Sequence, residues 1–533
     1  MLPSTHAEQF TADERAKLAP YFSNADRHVF ALTNLPETVK GALFARYSRS
    51  AKSLRRLFLD EFAPEMPAAH AGGGEVGIAR AEKLYARVFS EYGDDSVAQL
   101  GGAHIACEYV SNVLTKVLEW GRLMAYLEQS TRYVPYTDKL HGRWRYHLPA
   151  EVTGALRDRY VRTMDETFAA YARWIPAMQE HFARRHPKSP GDSDGVHRAA
   201  IRAKALDTLR GMLPAATQSN VGLYGTGQAF EALLLRMRAH PLAEARACAD
   251  AMLEELRTVI PAFLTRVDVA ERGGRWSEYL AETRSATAAV AESLLLGTPP
   301  EPRDEVILSD FDPDGEIKIV ASALYAVTEL PDDQLQSIAR GMPADERAQV
   351  LRAYIGTRAN RRHKPGRAFE RTTYRFDVLT DYGAFRDLQR HRLLTLEWQT
   401  LTTRHGVTEP EAIREAGAGG DWDRVMEASA DLHEAMTSAG TGAAAQYAVA
   451  MAYRVRFYME MNAREAMHLI ELRTAPQGHP AYRRVCQQMH RLIAEKAGHR
   501  AVAGAMTFAD HSVVELERLG SERSLAKKRS QTG

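Results

Sequence analysis

The chain has 533 residues, with 69 Lys plus Arg against 68 Asp plus Glu, so no global field draws it to nucleic acid or an acidic membrane surface and any anion site must be local. At roughly 150 residues per domain the length suggests about two to four domains. Three cysteines, Cys107, Cys248 and Cys486, lie far apart in sequence without CxxC spacing, which argues against a disulfide framework or a structural zinc site and fits a reducing cytosol.

In chain order, "MLPSTHAEQFTADERAKLAPYF" lacks the apolar core of a signal segment, and no run approaches the roughly 18 apolar residues of a membrane span, so a soluble cytoplasmic protein is expected. "RHVFALTNL" reads as a strand and "RRHPKSPGDSDGVHR" as a surface loop. "AEARACADAMLEELRTVIPAFLTRV" and "AAQYAVAMAYRVRFYMEMNAREAMHLIELR" place apolar residues every three or four positions and read as helices. "LLGTPPEPRDE", residues 295–305, is the best linker, because its prolines forbid a continuing helix. Beyond it "EVILSDF", "EIKIVASALYAV" and "TTYRFDVLT" read as strands. Asp381 then caps a helix, "YGAFRDLQRHRLLTLEWQ", whose Phe385, Leu388, Leu393 and Leu396 point inward. "GSERSLAKKRSQTG" reads as a disordered tail.

The two sides of the linker echo each other. "FALTNLPETVKGAL" parallels "YAVTELPDDQLQSI", and "AHPLAEARACADAM" parallels "GHPAYRRVCQQM" in the same order. Tandem duplication with divergence is the reading, with repeats over residues 25–290 and 305–518 and a tail over 519–533.

The densest cationic stretch is "RDLQRHRLLTLEWQTLTTRHG". Arg390, His391 and Arg392 span about 200° of a helix and must reach more than one partner. Their rigid donor forks suit phosphate or a flavin's carbonyl edge, while snorkelled surface arginines are the alternative.

This stretch resembles the first half of RHRxxSxNExSxRY, the fingerprint of flavin-dependent thymidylate synthases. Arg390, His391 and Arg392 match, with Thr395 for Ser, but Trp398 replaces the Glu, Thr400 the second Ser, and Thr402 and Thr403 the Arg-Tyr. The earlier "LEWGRLMAYLEQSTRYVPY" shows the reverse pattern: Glu128, Ser130, Arg132 and Tyr133 match, while Trp120 and Gly121 stand at Arg-His and Arg122 survives. Each half keeps what the other lost. The family's upstream GHxSxxEH is followed by "GDDSVAQL" through Gly93 and Ser96, and by "KPGRAFER" through Glu370. Its downstream ARxxLP and LRxxxxAQxEIR are met in the first half by Arg210, Leu213, Pro214, Arg236, Glu244 and Arg246, whereas NxR is missing there, with Gly and Thr of "YGTGQAF" in its place. The second half supplies Asn462, Arg464, His468, Arg473 and Arg483, with Gln446 at the ARxxLP arginine.

The resemblance implies an α+β fold, two tandem synthase-like domains each with a small sheet and a long helical bundle. It implies FAD as cofactor, NADPH and methylenetetrahydrofolate as co-substrates, and reductive methylation of dUMP to dTMP. Carried over by residue, Arg390, His391, Arg392, Asn462, Arg464, His468 and Glu128 would hold the flavin. Glu128, Ser130, Thr131, Arg132, Arg390 and Arg473 would hold the nucleotide, with Arg473 as the catalytic cation beside the pyrimidine. Because the family's site is shared between subunits, complementary loss implies one composite site inside each chain, and a homodimer would complete a pseudo-tetramer. No metal is expected. Alternatives stay open: Arg473 as a helix C-terminal cation, His468 as a packed core histidine, a second site using Arg210 and Arg236, a flavoenzyme methylating another pyrimidine, and a non-catalytic flavin-binding paralogue. Gln446 in place of an arginine and Asp387 where the family has Gln leave the site short of positive charge for the dUMP phosphate.

Overall fold

The computed structural model describes residues 8–48, 50–65 and 99–532, and Gly93, Asp94 and Ser96 of the upstream motif lie outside them. Among the described residues the fold mixes helix with two small sheets, as α+β requires. One sheet has β1 (Gly102–Ser111), β2 (Met124–Glu128) and β3 (Gln218–Thr226) in the order β1-β3-β2. The other has β4 (Val306–Phe311), β5 (Thr373–Asp381), β6 (Thr395–Trp398) and β7 (Arg454–Asn462) in the order β4-β5-β7-β6. The order β1-β3-β2 thus reappears as β5-β7-β6.

Local chemistry repeats with the strands. Ser111 ends β1 and its side chain accepts from Leu114 N–H to cap the helix Asn112–Leu118; Asp381 ends β5 and accepts from Ala384 N–H to cap Tyr382–Leu388. Thr226 at the end of β3 caps Gly227–Arg238, and Asn462 at the end of β7 caps Ala463–Arg473. The His-Pro echo is the same local device twice. His240 Nδ1 accepts from Leu242 N–H and His479 Nδ1 from Ala481 N–H, both at 3.2 Å. Pro36 and Pro331 stand directly before the helices Glu37–Tyr47 and Asp332–Gly341.

Several expectations are corrected. The helix after Asp381 ends at Leu388, and Arg390, His391 and Arg392 lie in the turn between it and β6. The reason is visible in "TLEW": Leu396 is buried between exposed Thr395 and Glu397, a period of two that pairs with β7. Leu393 faces solvent at 66% exposure instead of pointing inward. "EIKIVASALYAV" belongs to the helix Gly315–Tyr325, and "RHVFALTNL" contributes only an isolated bridge between Phe22 and Leu32. The segment read as one long helix through "RVRFYMEMN" holds β7, whose Val455, Phe457, Met459 and Met461 alternate into the core. The tail read as disordered is helical over Leu519–Thr532, where Arg523 pairs with Asp192 at 2.5 Å.

The chain divides into two compact units that do not follow the two halves. One takes in residues up to 108, 121–128 and 220–298; the other takes in 109–120, 129–219 and everything from 299 onward. In the first, Cys107 and Cys248, distant in sequence, share a thiol hydrogen bond. In the second, the 32-residue helix Gly154–Arg185 buries Tyr160, Met164, Phe168, Tyr171, Ile175, Met178 and Phe182 at three- and four-residue intervals. Cys486 is buried there and its thiol is pushed up to about 12 by desolvation, which suits packing and not nucleophilic attack.

The second sheet's aromatic cluster should dominate its stability. Phe385 is fully buried, with ring centroids 4.9 Å from Phe457 and 5.6 Å from Trp398. In urea denaturation Phe385→Ala should cost about 3–5 kcal/mol, whereas Leu393→Ala should stay within about 0.5 kcal/mol.

Candidate active site

The second unit gathers residues from both halves of the sequence around one carboxylate. Asp387, in the helix Tyr382–Leu388, pairs with Arg390 three residues on and with Arg210 at 3.4 Å. Burial opposes its ionisation, but Arg390, Arg210, Arg473 and Arg132 outweigh it and hold the carboxyl well below the usual range. Arg132 in turn pairs with buried Asp207 at 2.6 Å and donates to Gln477 O at 3.0 Å. Arg132, Arg210 and Asp207 come from the first half; Asp387, Arg390 and Arg473 come from the second.

Backbone and packing explain how these groups are held. Ser130 Oγ accepts from Arg132 N–H at 3.3 Å and Ser130 O from Tyr133 and Val134 N–H, so "STR" forms a tight turn with Thr131 buried. The Arg210 guanidinium lies against Gly383, where a Cβ would approach its Nε to 3.0 Å, so a side chain there would crowd it and require it to shift. His479 is kept neutral by burial and by Arg210 and Arg132; its Nδ1 is spent on the helix cap, leaving Nε2–H to face Asp207 O at 3.5 Å. Behind this cluster a cavity of about 250 Å³ is bounded by Asp207, Arg210, Asp381, Trp422 and His479.

A second layer surrounds His391, whose side chain is 4% exposed. Its Nε2 accepts from Arg473 Nε at 2.9 Å, and its Nδ1 lies 3.3 Å from Glu465 Oε1. Arg473 ends the helix Ala463–Arg473 and also lies over Tyr482, 5.4 Å from the ring centroid. Thus it is a helix C-terminal cation and a member of the cluster at once. Burial, with Lys364, Arg361, Arg473 and Arg464, lowers His468 to about 4. Asn462 Oδ1 is used as the helix cap, Arg464 Nε donates to Pro365 O at 2.9 Å and approaches Glu370 at 3.6 Å, and Arg392 is exposed.

His391, Glu465 and His468 bring potential ligand atoms within 4.8 Å of one another. A metal ion suits them poorly. With Arg473 donating to Nε2, coordination through Nδ1 would strip the ring of its last proton, and Lys364, Arg361 and Arg464 already repel positive charge.

The remaining motif residues separate. Glu128 closes β2, buried, in the first unit, as does Arg236 in its helix, whereas Arg210 belongs to the Asp387 cluster. Gln446 is committed to backbone, accepting from Leu401 N–H and donating to Ala443 O, both at 3.1 Å. Two of the positions where the halves lost the motif pack on each other: Trp120 and Trp398 meet edge to face at 5.8 Å, and Trp120 Nε1 donates to Leu396 O at 2.9 Å. Asp207, Glu465 and His479 were not singled out in the sequence. Glu465 stood three residues after the Asn462 cap, a signal for helix position and not for a site.

Asp387→Asn leaves Arg390 and Arg210 uncompensated and should destabilise the chain by about 3–5 kcal/mol at pH 7. The sign follows from its depressed ionisation: the native carboxylate's contribution is present above its unfolded value of 3.8 and is lost only on strong acidification. Millimolar inorganic phosphate should recover part of the melting temperature of the variant by binding the freed cations; thermal denaturation with and without phosphate checks this.

A family model described as "Thymidylate synthase complementing protein" matches residues 42–262 and again residues 306–498. A UPF0159 protein of Chlamydia muridarum is 36% identical over 520 residues, covering 96% of this chain and 98% of the relative. UPF0159 protein Ta1429 of Thermoplasma acidophilum is 31% identical over 510 residues, covering 91% of this chain and 97% of the relative. Among solved structures, the UMP/dUMP methylase PolB from Streptomyces cacaoi bound with 5-Br dUMP is 17% identical and covers 37% of this chain and 94% of that one, at a TM-score of 0.29. That superposition is too weak to carry an argument. The two matched segments and the full-length relatives suffice: the chain belongs to the thymidylate synthase complementing protein family, the flavin-dependent thymidylate synthases, as a tandem pair of diverged copies.

Proposed function

We propose that this chain is an FAD-dependent thymidylate synthase-like enzyme that methylates dUMP to dTMP with methylenetetrahydrofolate and NADPH, at one site composed from both halves. The observation that carries this reading is the gathering of Arg132 and Arg210 from one half with Arg390 and Arg473 from the other around Asp387. With Arg473 turned to the base, the three guanidiniums of Arg132, Arg210 and Arg390 less the carboxylates of Asp207 and Asp387 leave one net positive charge for the phosphate.

Ser130, Thr131, Arg132, Arg210 and Arg390 hold the nucleotide phosphate in this reading, and Glu128 adjoins them as the residue two before Ser130. Arg473 faces the pyrimidine and stabilises the negative charge that grows on the imide as C5 becomes a nucleophile; a cation already oriented by neighbours does this without reorganisation. The donors around His468 fit a flavin diphosphate: Arg361, Lys364, Arg392 and Arg464 form a cationic rim there. Asn462 and His391, both expected flavin contacts, have side-chain acceptors already committed, so Arg392, Arg464 and His468 are the favoured holders. FAD, when bound, supplies the redox step and the protein positions it. The Trp120–Trp398 pair supports a single site per chain, because it fills the reciprocal place where a second set of motif residues would stand. A homodimer completing a pseudo-tetramer goes with this reading. Asp387 favours one variant of it, a pyrimidine substrate with less phosphate charge than dUMP.

The purified protein should be yellow or become so with FAD, and should release tritium from C5-labelled dUMP in the presence of methylenetetrahydrofolate and NADPH. Arg473→Ala and Arg132→Ala should each lower kcat/KM by about 10²-fold or more, and calorimetry should give one nucleotide per chain. A colourless protein that cannot be reconstituted with FAD contradicts the reading, and full activity without Arg132 contradicts the shared site.

A further inference from the structure

Arg473 reaches through His391 to a buried carboxylate, Glu465, that no motif assigns. Arg473 Nε donates to His391 Nε2 at 2.9 Å, and His391 Nδ1 faces Glu465 Oε1 at 3.3 Å. The His391 and Glu465 side chains are 4% and 5% exposed, so each has few other partners. An arginine can only donate, so His391 Nε2 must carry the lone pair; a neutral ring then has its one proton on Nδ1, where Glu465 is the acceptor.

We propose that Glu465 is a positioning residue for Arg473: its carboxylate fixes the proton of His391 on Nδ1, which keeps Nε2 an acceptor and so sets the direction of the Arg473 guanidinium. This rests on the reading above that Arg473 acts on the substrate. The charged and titratable groups around Glu465 are Lys364 and Arg361 from the segment before β5, Arg390 and Arg392 beside His391, and Arg464, His468 and Arg473 on its own helix. Burial pushes the Glu465 carboxyl up to about 7 against the opposing pull of Lys364, Arg464 and Arg392. Burial and then Arg473 push His391 well below its ordinary value, so near neutrality the carboxyl titrates and the ring does not. A protonated Glu465 seeks an acceptor for its O–H, and the one at hand is His391 Nδ1. Meeting that demand moves the ring proton to Nε2, where it opposes the Arg473 donor. Loss of the carboxylate therefore releases the guanidinium.

Two measurements on the full chain test this, and the first does not depend on turnover. With ring-15N histidine, NMR should show His391, assigned by its loss in His391→Gln, as a neutral Nδ1–H tautomer at pH 8, with shifts that move at a midpoint near 7. In Glu465→Ala, where Arg473 alone favours it, the Nδ1–H form should lose population to Nε2–H; an Nε2–H ring in the native chain at pH 8, or an unchanged Nδ1–H population in Glu465→Ala, overturns the proposal. The second is the pH profile of kcat on dUMP. Glu465→Gln, whose amide oxygen still accepts from Nδ1–H at every pH, should lose the acid limb near 7, while Glu465→Ala should fall by about 10–100-fold in kcat with KM little changed. An acid limb that persists in Glu465→Gln also overturns it. A native chain with the expected tautomer and no turnover refutes the functional reading and leaves the Glu465–His391 geometry standing.

Discussion

Several arginines cannot share a buried space unless carboxylates are placed among them, and the second unit is organised around meeting that constraint. Arg132, Arg210, Arg390 and Arg473 lie within electrostatic reach of Asp387, and Asp207 takes the other side of Arg132. Removing one member of such a set exposes the charge of the others, so the set behaves as a unit. Its members sit on short, capped elements. Asp387 belongs to a helix fixed at its start by Asp381, Arg210 is packed on Gly383 two residues after that cap, and Arg473 ends a helix whose start is fixed by Asn462. Strand ends that double as helix caps therefore hold the charges in place.

The same arrangement gives a physical reason for the complementary decay of the two copies. In the composite site proposed above, one copy supplies the cationic turn and the other the nucleotide turn. The reciprocal positions are released from that duty, and Trp120 and Trp398 now meet there in an edge-to-face contact. Aromatic packing thus stands where the family motif has charged residues. Gln446 shows the same change, with its amide satisfying backbone groups of Leu401 and Ala443.

Four members of the cluster, Arg132, Arg390, His391 and Arg473, stood out in the sequence through their resemblance to the family's spaced motifs, and the Asp381 cap through its place before an apolar run. The setting of Arg390 to Arg392 was not. A helical pattern continued past Leu388 only if Leu393 was counted as core, and the two-residue alternation of Thr395 to Trp398 won because β7 offered it a hydrogen-bonding edge. β7 itself was hidden inside an Ala-rich stretch whose ends are helical, although Val455, Phe457, Met459 and Met461 alternate strictly. Asp207, Glu465 and His479 could not be found from sequence, because their significance lies in partners from distant parts of the chain: Arg132, His391 and the Arg210 cluster. The Leu-Pro and His-Pro echoes, by contrast, survive as matching helix starts.

The central claim is that one chain builds one nucleotide site from both of its halves. A crystal structure of the protein with dUMP and FAD tests it most directly. The account predicts one dUMP per chain, its phosphate contacting Arg132 together with Arg390 and its pyrimidine beside Arg473. A nucleotide held by residues of a single half, or two nucleotides per chain, would contradict it.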